Sequence, residues 1–121
     1  ENGSAGNTVC ENTLSLPMSK IAACTAQVDA LTEVASGTSD LAIIDYTMAY
    51  SVVGKGAFSD LAIVDISKVS FENEEFAVGF RKGSDLTEKA NAYLKKCYAD
   101  GTMTELLKKY SGVALNEAKL K

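Results

Sequence analysis

Short apolar runs alternate with amphipathic segments through the first part of the chain. Residues 21–24, 41–44 and 61–64 are each four apolar residues in a row, and the segments between them have helical spacing. A short apolar run between turn residues is typical of a strand buried on both faces of a parallel sheet. The pattern therefore predicts an α/β fold, in which a parallel sheet is flanked by helices that make right-handed crossovers.

Local capping signals predict where the helices begin and end. Thr25 is a suitable N-cap for a helix over residues 26–36, and Gly37 stands where helices commonly end. A second helix is predicted from Tyr46 to about Val53, followed by a turn that contains two glycines.

The second part of the chain has a different pattern. Residues 76–80 form an extended apolar segment, and two helices follow it. Asp85 with Glu88, and Thr102 with Glu105, have the spacing of capping boxes at the starts of these helices, and Gly101 separates them. Residues from Gly112 to the end are predicted to form a loosely held tail.

Asp45 closes the apolar run at residues 41–44. Ligands of open α/β sheets bind beyond the carboxyl ends of the strands, which makes Asp45 the first candidate for a ligand contact. Aspartate is also a preferred N-cap, so Asp45 could equally begin the helix at Tyr46 and have no ligand. The spacing alone leaves these two interpretations about equally weighted.

The small residues Gly3, Ser4 and Ala5 predict a tight turn that enters a helix. Unpaired N–H groups and the helix dipole at such a turn can hold an anion, to which Ser4 could add a hydroxyl donor. Capping of the helix without any ligand is the more common outcome for turns of this composition. No strand precedes the turn, which suggests that sequence upstream has been removed.

Composition narrows the classes of function. The 121 residues carry a net charge of −4 without a dense basic cluster, which argues against nucleic-acid binding. The apolar runs are too short to span a membrane. The chain has no histidine, so the commonest general base is missing, and its three cysteines cannot all pair internally. We predict no catalytic residue, no metal site and no cofactor, and we expect the cysteines to be buried free thiols.

The order of these parts resembles the C-terminal half of a bacterial extracellular solute-binding protein of family 3, the amino-acid receptor of an ABC importer. The resemblance spans nearly the whole chain and rests on segments 2–6, 28–31, 39–46, 76–83 and 98–102, with Leu106 and Tyr110. It implies a lobe of the periplasmic-binding-protein type II fold. Residues 1–74 would be the second lobe without its first strand, residues 75–82 the return crossing, residues 83–113 helices of the first lobe, and residues 114–121 a tail.

The resemblance also implies a binding site. Gly3, Ser4 and Ala5 match the place where this family binds the α-carboxylate of an amino acid, and Asp45 matches the residue that receives the α-ammonium group. Ala5 departs from members that have a hydroxyl residue there, so it could contribute only its N–H. Glu1 matches a position that, in this family, often lines the part of the site that holds the ligand's side chain. In a sheet of flavodoxin-like order, the strand that leads to the Gly3 turn would lie beside the strand that ends at Asp45, about 4.8 Å away. This spacing suits the two charged groups of an amino-acid zwitterion.

The function implied is the non-catalytic binding component of an amino-acid ABC importer, located outside the cytoplasm. Its expected partners are an amino acid and the permease subunits, and the exposed faces of the C-terminal helices could support self-association. Two alternatives on the same fold stay open: a dehydratase of the prephenate or cyclohexadienyl type, and a sensor module of a receptor or regulator.

Overall fold

The computed structural model of the chain describes residues 1–64, 75–110 and 112–121. The chain divides into two compact units, Glu1–Phe71 and Glu72–Lys121, called unit 1 and unit 2 below. About half of the described residues are helical.

Unit 1 contains three α-helices in its described part. They are α1 (Ala5–Thr8), α2 (Gln27–Ala35) and α3 (Tyr46–Val52). A π-helical turn, Val9–Thr13, continues α1 without a break, and two 3₁₀ turns lie at Met18–Lys20 and Gly56–Phe58. The other described residues of unit 1 form turns and irregular connections.

Unit 2 has one long helix and two short ones among its described residues. They are α4 (Leu86–Ala99), α5 (Thr102–Leu107) and α6 (Glu117–Leu120). Gly101 separates α4 from α5 with a left-handed backbone at φ 83°, as its position in the sequence predicted. The segment predicted as a loose tail differs from expectation, because Glu117–Leu120 is helical and Tyr98 of α4 hydrogen-bonds to Glu117.

The predicted parallel sheet is wrong. Residues 1–64, 75–110 and 112–121 contain no β-strand, so the chain does not have the α/β fold, nor the type II lobe of the solute-binding family. The runs at 21–24, 41–44 and 61–64 are irregular instead. A strand buried on both faces should be covered, yet Leu41 and Val64 are 64% and 73% exposed. Strand pairing needs a partner from a distant part of the chain, and no backbone ladder joins these runs in the described part.

Most helix boundaries predicted from local signals are confirmed, but several caps differ. Helix α2 ends before Gly37, whose φ is 77°, and α3 begins at Tyr46 as predicted. Thr25 is not the N-cap of α2. The N-cap is Ala26, whose N–H donates to the Asp29 carboxylate at 2.9 Å.

The two predicted capping boxes in unit 2 do not form. Asp85 is the N-cap of α4 by position, but its carboxylate pairs with Lys89 at 2.5 Å, and the Leu86 N–H donates to Ser84 Oγ at 3.2 Å. Thr102 lies inside α5, where its N–H donates to Asp100 at 3.0 Å. A nearby carboxylate or hydroxyl therefore replaced the expected cap in each case.

The core is small. Leu31 of α2, Ala49 of α3 and Cys97 of α4 are the buried apolar residues in the described part of the chain. All three cysteines are free thiols, and Cys10 and Cys24 are half-buried. The expectation of buried free thiols is therefore confirmed fully only for Cys97.

Candidate functional site

The N-terminal turn is built around Ser4. Gly3 has a φ of 69°, which turns the chain back toward α1. Ser4 Oγ accepts from the Asn7 N–H at 3.2 Å and donates to the Glu1 carbonyl at 2.7 Å. Ser4 is thus the N-cap of α1, and its hydroxyl hydrogen is directed at Glu1 rather than toward a ligand.

Two donors at this helix start have no partner among the described residues. The Asn7 N–H donates to the Ser4 side chain and the Thr8 N–H to the Ser4 carbonyl at 3.1 Å. The N–H groups of Ala5 and Gly6 make no hydrogen bond with any described residue. Such N–H groups at the first turn of a helix are the ones that bind anions. The helical path behind them runs unbroken from Ala5 to Thr13.

Asp45 begins the other half of the candidate site. Its Oδ1 accepts from the Met48 N–H at 2.9 Å, so Asp45 is the N-cap of α3. The capping interpretation of this residue is therefore confirmed. Asp45 is half-buried, and its second carboxylate oxygen accepts no hydrogen bond from the described residues.

Gln27 fixes the backbone at Asp45. The Asp45 N–H donates to Gln27 Oε1 at 2.9 Å, a bond that joins the first residue of α2 to the N-cap of α3. Sequence reasoning missed this residue, since nothing in local spacing links positions 18 residues apart. Gln27 is a positioning residue for Asp45.

A close backbone approach brings α1 beside the Asp45 segment. A Cβ added to Gly6 would lie 2.9 Å from the carbonyl oxygen of Ile43, two residues before Asp45. Only glycine allows this approach. The predicted site residues Gly3, Ser4 and Ala5 therefore share one turn, and that turn leads into the glycine that contacts the Asp45 segment. A glycine inside a helical segment is the one sequence signal that could have indicated this contact.

Glu1 contributes differently from the prediction. Its carbonyl accepts two hydrogen bonds from Ser4, whereas its exposed side chain forms no ion pair with described residues. The predicted lining role of Glu1 stays a prediction. The adjacent Asn2 N–H donates to the Cys24 carbonyl at 2.8 Å, which anchors the turn.

Two open depressions lie elsewhere on the described residues. One open depression is beside Tyr50, Lys55 and Ile63, past the C-terminal end of α3, and another is beside Asp100 and Lys109 in unit 2. Neither is lined by Asp45 or by the N-terminal turn.

Shifted pKa values occur in unit 2. The hydrogen bond from Lys119, followed by that from Asn116, lowers the pKa of Glu75, and the hydrogen bond from Tyr98 lowers the pKa of Glu117. The bond to Glu117 in turn raises the pKa of Tyr98. Glu75 and Glu117 are exposed and Tyr98 is half-buried, and each shift comes from a pair at the surface, so the shifts report surface pairing and not an active site.

The described residues contain no cluster of three side chains able to hold a metal ion. Within the same part of the chain, no helix has both the length and the apolar character that a membrane crossing requires.

Comparison of the chain with protein-family models, with curated proteins and with solved structures finds no significant match. The resemblance to the solute-binding family therefore stays an interpretation of the sequence. The geometry brings the N-terminal turn beside the Asp45 segment through the approach of Gly6 to Ile43 on a small helical unit.

Proposed function

We propose that unit 1 carries one half of an amino-acid binding site and that the protein is the binding component of an amino-acid ABC importer outside the cytoplasm. The observation that carries the proposal is the contact of Gly6 with Ile43. It joins a helix start with two unpaired N–H donors to the segment that ends in the Asp45 carboxylate. The ammonium and carboxylate of an α-amino acid need one partner of each kind.

The roles follow from the chemistry of each group. The Ala5 and Gly6 N–H groups would donate to the ligand carboxylate. The second oxygen of Asp45 would accept from the ligand ammonium while the first continues to cap α3. Gln27 would hold the Asp45 backbone in place through the 2.9 Å bond.

The free energies of the expected hydrogen bonds predict weak binding of an amino acid by this half-site. Charge-assisted hydrogen bonds contribute about 1.5 to 3 kcal/mol each, or about 3 to 6 kcal/mol for one at each end of the ligand. Association costs about 4 to 15 kcal/mol in lost freedom, so a dissociation constant in the millimolar range or weaker is expected. Presentation to a permease would require a second surface that closes on the ligand.

Titration of the ¹⁵N-labelled chain with a panel of L-amino acids tests the proposal. We expect small, saturable amide shifts at Ala5, Gly6 and Met48. Asp45→Asn should abolish the shift at Met48 and reduce those at Ala5 and Gly6 without loss of fold, because asparagine is as good an N-cap as aspartate. Asp40→Asn, at an exposed acid in the same stretch, is the matched control and should leave the shifts unchanged.

Acetate and methylamine separate the two halves of the site. Acetate should shift Ala5 and Gly6 alone, and methylamine should shift only residues around Asp45. An equal response of wild type and Asp45→Asn to the amino acids would remove Asp45 from the site. No response at Ala5 and Gly6 at any concentration would refute the proposal.

A further inference from the structure

Residues 75–81 form an exposed apolar segment, in which the Arg81 carbonyl accepts from the Ser84 N–H at 3.0 Å and residues 75–80 have no backbone partner among the described residues. Phe76 and Val78 are 81% and 74% exposed, and every residue of the segment is exposed. No backbone hydrogen bond joins residues 75–80 to any other described residue. A row of free N–H and C=O groups with apolar side chains at every second position is a template for pairing with another strand.

The alternation in this segment separates two faces. In an extended chain Phe76, Val78 and Phe80 would point to one face, and Glu75, Ala77, Gly79 and Arg81 would point to the other. Seven residues exceed the average strand of about five to six. The segment is therefore long enough to form a strand once a partner is present.

The segment is complementary to itself in the antiparallel direction. When two copies pair about Val78, Phe76 of one copy faces Phe80 of the other, and Glu75 faces Arg81. Ala77 then faces Gly79, and Val78 faces Val78. Aromatic pairs and opposite charges directly across a strand pair are both stabilising.

Other registers lose this match. A slip by one residue places Phe76 opposite Arg81, and pairing about Gly79 places Phe76 opposite Lys82. The two-fold arrangement about Val78 keeps both the aromatic face and the charge pairs, as an isologous interface requires.

We propose that two copies of this chain associate through an antiparallel β-ribbon formed by residues 75–81 and centred on Val78. Association gives ladder hydrogen bonds to the backbone groups of residues 75–80, which have no partner among the described residues. In its own chain Glu75 accepts from Lys119 and Asn116, which are both exposed. Association replaces these partners of Glu75 with Arg81 of the second copy. Arg81 forms no ion pair with the described residues, so the charge pair with Glu75 of the second copy is a net addition for Arg81.

Sedimentation equilibrium of the 121-residue chain tests the proposal. A two-stranded ribbon is marginally stable, so we expect the mass to rise from 12.8 kDa toward twice that value only at high micromolar concentration. Val78→Pro removes an N–H at the centre of the register and should leave the chain monomeric. Leu106→Lys alters an exposed apolar residue of α5 and, as the control, should not change association.

Charge reversal tests the register itself. Arg81→Glu should weaken association by about tenfold or more, because it replaces two attractive cross-strand pairs with two repulsive ones. Glu75→Arg should do the same. An equimolar mixture of these two variants restores an acid opposite an arginine at both ends, so the mixture should associate as a heterodimer.

Each other outcome counts against the ribbon. A chain that stays monomeric at the highest soluble concentration overturns it. A dimer that persists in Val78→Pro, or that Leu106→Lys disrupts, assigns association to the helices instead. A mixture that stays monomeric overturns the register about Val78. At a concentration where wild type is monomeric, the far-ultraviolet circular dichroism should be the same for all variants, since every substituted side chain is exposed.

Discussion

Unit 1 and unit 2 are both helical in their described parts, but different interactions hold them. In unit 1 the long-range contacts are uncharged or backbone contacts, such as Gly6 against Ile43 and the Asp45 N–H on Gln27. In unit 2 they are exposed polar pairs, such as Tyr98 with Glu117 and Lys119 with Glu75. Two of the three buried residues, Leu31 and Ala49, belong to unit 1.

The difference indicates which conditions each unit should tolerate. Exposed ion pairs contribute little and are screened by salt, whereas packing and close backbone approach are not. Unit 1 should therefore be sensitive to changes in side-chain volume, and unit 2 should be sensitive to pH and ionic strength.

Truncation of Leu31 should have the largest effect. Leu31 is 5% exposed, and Leu31→Ala should lower the free energy of unfolding of unit 1 by about 2 to 3 kcal/mol, at the low end for buried leucines because the surrounding core is small. Val28→Ala on the same helix is the control, since Val28 is 43% exposed and should cost about 0.5 kcal/mol or less.

Amide hydrogen exchange measures this effect in each unit separately. Exchange should accelerate in α2 and α3 of Leu31→Ala and stay unchanged in α4. Equal acceleration in all three helices would show that the two units unfold together, contrary to the comparison.

Substitution of Gly6 should have the next largest effect. Gly6→Ala places a Cβ 2.9 Å from the Ile43 carbonyl, and the overpacking should cost about 1 to 3 kcal/mol, partly offset by the helix propensity of alanine. Gly79→Ala is the matched control, because nothing lies within 4 Å of a Cβ at that position. A urea midpoint of Gly6→Ala equal to or above that of wild type would contradict the close approach.

Acid should release the C-terminal contacts of unit 2, and this should be the smallest effect. Because the pKa values of Glu75 and Glu117 are lowered, their contribution is present above the ordinary glutamate pKa and is lost as pH falls through the lowered values. The amide shifts of α6 should report this loss while those of α2 stay constant.

Two variants sharpen the pH comparison. Glu75→Gln and Glu117→Gln together should remove the pH dependence of the α6 amide shifts. Glu88→Gln, at an exposed glutamate that forms no ion pair with the described residues, should leave it intact. A pH response of α6 that survives the double substitution would assign it to other groups.

The sequence could predict the features that depend on neighbours along the chain. Gly37 and Gly101 end helices, and Asp45 begins one, because their effects act within a single turn. Thr25 and the Asp85 box were wrong because other local partners competed for the same groups, namely Asp29 and Lys89.

The features that depend on distant partners could not be predicted in this way. The run at 41–44 has the composition of a buried strand, but a strand also needs a partner strand that no local pattern supplies. The contacts of Gly6 with Ile43 and of Gln27 with Asp45 likewise join segments far apart in the sequence. Of the residues in the proposed site, Ala5 and Asp45 were predicted from the sequence, whereas Gly6 and Gln27 were not.

A nuclear Overhauser measurement between α1 and the Asp45 segment tests the central claim most directly. The Ile43 Cγ2 atom lies 3.4 Å from the position of a Cβ on Gly6, so a cross-peak between the Gly6 Hα protons and the Ile43 γ-methyl group is expected. Gly79, with no neighbour within 4 Å of its Cβ position, should give no comparable long-range cross-peak. If both residues are assigned and no cross-peak joins Gly6 to Ile43, the helix start and the Asp45 carboxylate do not form one site.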